Sequence, residues 1–326
     1  MSLFKLHTGD SVEVLSTMPD NCFHTCITSP PYFGQRDYDR DGQIGNEETL
    51  DEYVDNIVKV FREVRRVLRP DGTCWINLGD KYKNKNLLNV PFIVAEALKK
   101  EGWRHRNTIP WVKRNAIPCG GSGNVNQSIE WVLKLSGSGK YYFDMESAKE
   151  CIGISRNWRN GDALLDIDAL VLDVNTVPRD DPHMAMMPPE LAKVMIRAGT
   201  SDKGCDANSG EQFRRIVKKN RRATRPGKTV KDDNSGKVHR DRGRHVTDVE
   251  TIDWKIAGDN SGKIVGCRVL DPFSGAGTTG KVAMGLGRRY VGIDLNGDYN
   301  DRAQSELESL NFTIESDCFY ETEDEG

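Results

Sequence analysis

The stretch from Arg268 to Asp294 constrains the fold more than any other part of this chain. Arg268 to Phe273 (RVLDPF) reads as a buried strand and Ser274-Gly275-Ala276-Gly277-Thr278-Thr279 as a tight turn. Gly280 to Leu286 reads as the helix behind the turn, and Arg289 to Leu295 as the next strand, with Asp294 near its end. Strand, glycine turn, helix, strand, acid is the physical recipe for a site that takes an adenosine-containing ligand. Glycines let the backbone approach, and a carboxylate on the second strand accepts hydrogen bonds from ribose hydroxyls. Three ligands compete for the pattern. A phosphate loop would need Ser or Thr after Gly280-Lys281 to hold magnesium, and Val282 stands there. Gly275, Gly277 and Gly280 match the dinucleotide spacing G-x-G-x-x-G, although that motif ordinarily follows the first strand of a chain. S-adenosylmethionine is the third, and its support has to come from elsewhere in the sequence.

The remaining chain alternates strands with amphipathic helices, which points to an α/β layered sheet. Phe23 to Thr28 is strand-like and stops at Ser29-Pro30-Pro31-Tyr32, where two prolines leave a stiff loop. Thr49 and Glu52 form a capping box ahead of Val54, Ile57, Val58, Phe61, Val64 and Leu68 at helical spacing, with Pro70-Asp71-Gly72 as the stop. Thr73 to Leu78 is a buried strand, Pro91 to Lys100 a helix, Asn107 to Val112 a strand and Pro188 to Ala198 a helix with proline in its first turn. No run of about 18 apolar residues exists, which excludes a helical membrane span. The N-terminus carries no basic-then-apolar leader, so the expected location is the cytoplasm. Eight cysteines without a CxxC pair favour reduced thiols over a disulfide framework or a zinc site.

Charge is segregated. The net charge is -3, yet Glu211 to His245 holds thirteen Lys/Arg against four Asp/Glu, a local +9 that leaves -12 on the rest. With few large apolar residues, this segment is expected to be a mobile loop or inserted arm, and its clustered cations suit phosphate contacts. Arg214, Arg215, Lys218, Lys219, Arg221 and Arg222 are the candidate DNA contacts there; Arg156 and Arg159, in SRNWRN, are further candidates.

Thr28-Ser29-Pro30-Pro31-Tyr32 decides between the ligands. Here the sequence resembles the DNA amino-methyltransferases, whose catalytic motif is (Asp/Asn/Ser)-Pro-Pro-(Tyr/Phe/Trp) and whose cofactor motif resembles Asp271 to Thr279. His183 to Gly199 looks like the segment that encloses the cofactor's methionine end, and Gly9-Asp10 like the pair that approaches its adenine. The catalytic loop precedes the cofactor loop, which is the permuted order of the family's β group. The resemblance implies a Rossmann-like methyltransferase sheet, mixed and mostly parallel, with helices on both faces and inserted recognition and basic segments. It implies S-adenosylmethionine as cofactor, held by Asp10, Asp271, Phe273, Gly275, Gly277, Thr278, Thr279, Asp294 and His183.

The implied catalytic residues are Ser29, Pro30, Pro31 and Tyr32. Ser29 Oγ and the Pro30 carbonyl would accept the two N–H bonds of an exocyclic amino group, Pro31 would keep that carbonyl rigid, and Tyr32 would stack on an extruded base. No metal or covalent intermediate is required. Serine at position 29 is typical of cytosine N4 and aspartate of adenine N6, so cytosine is the implied target and adenine the alternative; a catalytically silent DNA-binding module is a distant third. Cytosine C5 chemistry would use a Pro-Cys nucleophile, but Gly120 follows Pro118-Cys119 where that family has Gln, so Cys119 reads as a loop thiol. The expected organisation is a catalytic half at 1–112, an irregular target-recognition region at 113–182, a cofactor-enclosing helix at 183–199, a basic arm at 200–265, a cofactor-binding half at 266–314 and an acidic tail at 315–326. Double-stranded DNA is the implied partner, and a cognate restriction endonuclease of a bacterial or phage system is a candidate second one.

Overall fold

A computed structural model describes residues 3–36, 40, 42–113, 127–151, 172–173, 187–225, 229–231, 238–240, 244–258 and 262–310. Its frame is an eight-stranded sheet. The strands are β1 (Phe4–Thr8), β2 (Phe23–Thr28), β3 (Leu68–Leu78), β4 (Arg104–Val112), β5 (Ile129–Ser136), β6 (Leu172–Asp173), β9 (Arg268–Asp271) and β10 (Arg289–Asp294). Two further strands, β7 (Arg214–Arg225) and β8 (Arg244–Lys255), form a separate ribbon. The sheet runs β1-β10-β9-β2-β3-β5-β4-β6. The first five are mutually parallel, β5 is antiparallel to both β3 and β4, and β6 runs parallel to β4. The expected mixed, mostly parallel sheet is what forms.

Strand pleating sends alternate residues to opposite faces, and a sheet covered on both sides needs apolar residues at both parities. Cys26, Cys74, Ile76, Leu133, Leu270 and Ile293 pack on one face against α1 (Ser11–Ser16), α2 (Leu50–Val67) and α3 (Val90–Lys100). Ile27, Trp75, Val132, Val269 and Tyr290 pack on the other against α4 (Met145–Cys151), α5 (Pro189–Gly199), α6 (Thr278–Gly285) and α7 (Gly297–Glu308). The capping box on α2 is present: Glu52 N–H donates to Thr49 Oγ1 at 3.2 Å and Thr49 N–H donates to Glu52 Oε2 at 3.1 Å. The helix ends at Val67, short of its expected stop, because Pro70 is taken into the start of β3, where its fixed φ is compatible with extended backbone. No helix among the described residues is long and apolar enough to cross a membrane.

One expectation needs correction. Residues 113–182 are not wholly irregular, since β5 is a central strand of the sheet and α4 follows it. The described residues of the basic segment include a ribbon, a form an inserted arm can take: β7 and β8 pair antiparallel from Arg214↔Lys255 to Arg225↔Arg244, with register shifts at Ile216/Val217 and Ala223/Arg225. Lys218 and Lys219 are paired with Glu250 and Val249 rather than with further cations, so an extended ribbon costs less there than the composition suggests. The acidic tail lies outside the described residues.

Candidate active site

β2 and β9 are parallel neighbours, so the loops that leave their carboxyl ends emerge side by side. Thr28 Oγ1 donates to Asp271 Oδ1 at 2.6 Å, joining positions 243 residues apart. The Phe273 N–H donates to the same oxygen at 3.1 Å, and the Thr279 hydroxyl also bonds this carboxylate. Asp271 is 3% exposed. Burial pushes its carboxyl up to about 6, against the pull of the Thr28 and Thr279 hydroxyls. Asp271 thus braces the Ser29 loop against the glycine loop.

On the glycine side, Asp294 Oδ2 accepts the Gly275 N–H and Oδ1 accepts the Asn296 N–H, each at 2.8 Å. Burial raises its carboxyl above the ordinary value. Each oxygen retains a lone pair that a hydroxyl can approach. Gly275 and Gly277 have φ of +51° and +75°, the left-handed region that glycine adopts without strain. A Cβ on Gly275 would meet nothing within 4 Å, whereas one on Gly277 would press on Ala303 at 3.0 Å. Open space at Gly275 beside the Asp294 carboxylate therefore suits an adenosine-bearing ligand. Thr278 and Thr279 are buried in the first turn of α6. Asp10 caps α1 by accepting the Val12 and Glu13 N–H groups at 2.8 and 3.0 Å, and the Gly9 N–H donates to the Asp294 carbonyl at 3.0 Å, which brings that pair to the same edge. His183 lies outside the described residues.

On the other side, Ser29-Pro30-Pro31-Tyr32 is anchored at both ends. Tyr53 Oη donates to the Pro31 carbonyl at 2.9 Å. The Tyr32 ring lies so close to Gly79 that a Cβ there would meet Tyr32 Cε2 at 2.7 Å, so Gly79 is needed for this packing. Tyr32 Oη donates to Glu130 Oε2 at 2.6 Å and accepts from Asn77 Nδ2 at 2.6 Å and from Ser29 Oγ at 3.3 Å. Asn77 Nδ2 also donates to Glu130 Oε2 at 2.8 Å, and Lys113 Nζ pairs with Glu130 Oε1. Burial first, and Glu130 second, push the Tyr32 phenol well above its ordinary value, so it stays neutral. Asn77 and Glu130 were not singled out from the sequence. Because β5 is antiparallel, its first residues share an edge with the last residues of β2, β3 and β9, and a carboxylate one position into that strand was the available signal.

The DNA candidates divide. Lys218 and Lys219 are exposed on β7. Arg214 lies over the Tyr142 ring at 5.3 Å. Arg215 is corrected: its Nε reaches Asp144 Oδ2 at 3.0 Å, its Nη2 reaches Asp202 Oδ2 at 3.1 Å, and its guanidinium lies 5.0 Å from the Trp254 ring. With carboxylates already on two sides and only 12% of its side chain exposed, it anchors the ribbon to the body rather than meeting phosphate. The side chains of Arg221 and Arg222, and all of Arg156 and Arg159, lie outside the described residues.

His24, Cys205 and Cys267 place ligand-type atoms within 4.8 Å of one another, all buried. Both imidazole nitrogens are committed: Nδ1 accepts the Arg268 N–H at 2.9 Å, which leaves Nε2 protonated and donating to the Gly210 carbonyl at 2.9 Å. Cys267 Sγ donates to Gln212 Oε1 at 3.3 Å. The donor set as arranged has no imidazole lone pair for an ion.

Comparisons with known proteins converge. The profile of a family described as DNA methylase matches residues 23–206 and 261–305. Type II methyltransferase M.SmaI of Serratia marcescens is 30% identical, over 93% of this chain and 90% of that protein. Type II methyltransferase M.Cfr9I of Citrobacter freundii is also 30% identical, over 93% and 87%. Among solved structures, PvuII DNA methyltransferase (cytosine-N4-specific) matches with a TM-score of 0.60 and 18% identity, covering 96% of this chain and 89% of that one. A Thermus thermophilus protein in complex with S-adenosyl-L-methionine matches with a TM-score of 0.54 and 23% identity, over 93% and 94%. The two structural likenesses concern the fold.

Proposed function

This chain belongs to the DNA methylase family, and from that premise we propose that it methylates the exocyclic N4 amino group of cytosine in duplex DNA, within a Type II modification system. S-adenosylmethionine is the cofactor, and when bound it supplies an electrophilic methyl on its sulfonium. Asp294 holds the ribose hydroxyls, the loop from Phe273 to Thr279 leaves the space at Gly275 for the ligand, and Gly9-Asp10 flanks the adenine.

The target amino nitrogen is a poor nucleophile because its lone pair is delocalised into the ring. Ser29 Oγ and the Pro30 carbonyl accept its two N–H bonds and localise that pair, and the rigid loop supplies both acceptors without reorganisation. The base must leave the duplex to reach them, and Tyr32, backed by Gly79, stacks on it. Lys218 and Lys219 on the ribbon meet backbone phosphates, which positions the duplex without reading its sequence. The observation that carries the reading is the 2.6 Å bond from Thr28 to Asp271, because it makes the Ser29 loop and the glycine loop two walls of one site. Serine at position 29, typical of the cytosine-N4 members of the family, supports cytosine over adenine.

The test is to incubate the protein with unmethylated DNA and isotopically labelled S-adenosylmethionine, digest to nucleosides and identify the product by mass spectrometry. N4-methylcytosine is expected. N6-methyladenine would move the target to the alternative base, and no methylated nucleoside on any DNA would defeat the reading.

A further inference from the structure

We propose that Glu130, acting through Tyr32, is the outlet for the proton that the target amino group loses as it is methylated. This rests on the reading above and extends it to a residue outside the Ser-Pro-Pro-Tyr loop. When the nitrogen–methyl bond forms, the sulfonium carbon–sulfur bond breaks and its electron pair goes to sulfur. The nitrogen then carries positive charge and has to release one N–H proton. Ser29 Oγ accepts that N–H, but a serine hydroxyl is too weak a base to keep a second proton, so the charge must travel on.

The hydrogen bonds give it one direction. An amide nitrogen can only donate, so Asn77 Nδ2 gives its two N–H bonds to Tyr32 Oη and Glu130 Oε2, at 2.6 and 2.8 Å. Ser29 Oγ reaches both Tyr32 Oη, at 3.3 Å, and the Asn77 carbonyl, at 3.5 Å, and of the two only the phenol can pass a proton on. Receiving from Asn77 and Ser29, Tyr32 Oη has its single O–H left for Glu130 Oε2 at 2.6 Å. Lys113 occupies the other carboxylate oxygen, which leaves Oε2 to take a proton. The electron pair of the broken N–H bond stays on nitrogen, and the proton passes to Ser29 Oγ as serine's own moves to Tyr32 Oη. Tyrosine's proton moves to Glu130 in the same step. Serine and tyrosine end unchanged and Glu130 ends as a neutral acid that returns its proton to solvent between turnovers. The neutral, buried phenol is the form such a relay needs. Glu130 is thus a positioning residue for proton flow, since it touches Tyr32 and not the base.

Glu130→Gln separates this from mere support of Tyr32, because glutamine keeps an acceptor oxygen of the same reach but is no base. With DNA on which the wild-type chain is active, the single-turnover methylation rate of Glu130→Gln should fall on the order of a hundredfold. Cofactor and DNA dissociation constants should stay within about twofold. Tyr32→Phe, which removes one hydroxyl, should fall comparably, and the double variant should be no slower than the slower single, as members of one relay are non-additive. Should Glu130→Gln lose its cooperative melting transition, Tyr32→Phe carries the test by the same criteria. A Glu130→Gln rate within about threefold of wild type overturns the relay. So do losses confined to affinity, or losses that multiply in the double variant. A wild-type chain that methylates no base strikes the underlying function instead, so the two failures are told apart by the control.

Discussion

Asp271 is the residue on which the site's geometry turns, and its carboxyl is held in an unusual balance. Buried at the junction of two loops, it is pushed from an ordinary 3.8 up to about 6. The folded chain therefore holds this proton more tightly than the unfolded chain does. Its contribution to stability is fully present below about pH 4 and is lost as pH rises through about 6. Asp271→Asn removes the titration while keeping the size, so denaturant melts from pH 4 to pH 7 should lack that fall; superimposable pH profiles for variant and wild type would contradict it. Asp294 is raised in the same direction and stays in both proteins, so the comparison isolates Asp271. At this scale the sequence was readable wherever one motif carried one chemistry. The motifs name Ser29, Tyr32, Gly275, Asp271 and Asp294, but not that Asp271 takes the Thr28 hydroxyl and the Phe273 N–H, because which groups a buried carboxylate meets depends on strand adjacency that no local pattern reports.

Among the elements, those with clean periodicity were legible and those with charges inside were not. α2 shows its capping box and apolar stripe in the sequence, and β2 is buried at every position. β5 hid because Lys134 interrupts it. That side chain is buried, 3.3 Å from the Phe143 ring centre and 4.8 Å from that of Tyr141, with burial and then Arg106 lowering it to about 8. An aromatic cage substitutes for a carboxylate partner there, and composition does not reveal one. The ribbon hid for the opposite reason, since charge on both strands erased the alternation that marks a sheet surface. Its register places Lys218 opposite Glu250 and Lys219 opposite Val249, so the two lysines fall on different faces. A two-stranded ribbon is narrow enough to enter a major groove with phosphates on either side. Replacing both lysines with glutamine should flatten the plot of log binding constant against log salt by about 1.8, at roughly 0.9 for each phosphate no longer neutralised. An unchanged slope would remove the ribbon from the DNA interface.

For the whole molecule, the permuted chain order matters less than the sheet it builds. Five parallel strands deliver their carboxyl ends to one edge, and the antiparallel β5 brings its amino end to the same place. Residues from Gly9 to Asp294 meet there because ligand sites in open α/β sheets form where the loops splay apart. That convergence could be inferred from two motifs, whereas Glu130, Asn77 and Lys113 required the topology. Whether both loops serve one reaction is decided by a crystal structure of the protein with S-adenosylmethionine. The ribose hydroxyls are expected on Asp294 and the methyl group aimed into the gap between Ser29 Oγ and the Pro30 carbonyl. A cofactor bound elsewhere, or one whose methyl points away from Ser29, would contradict it.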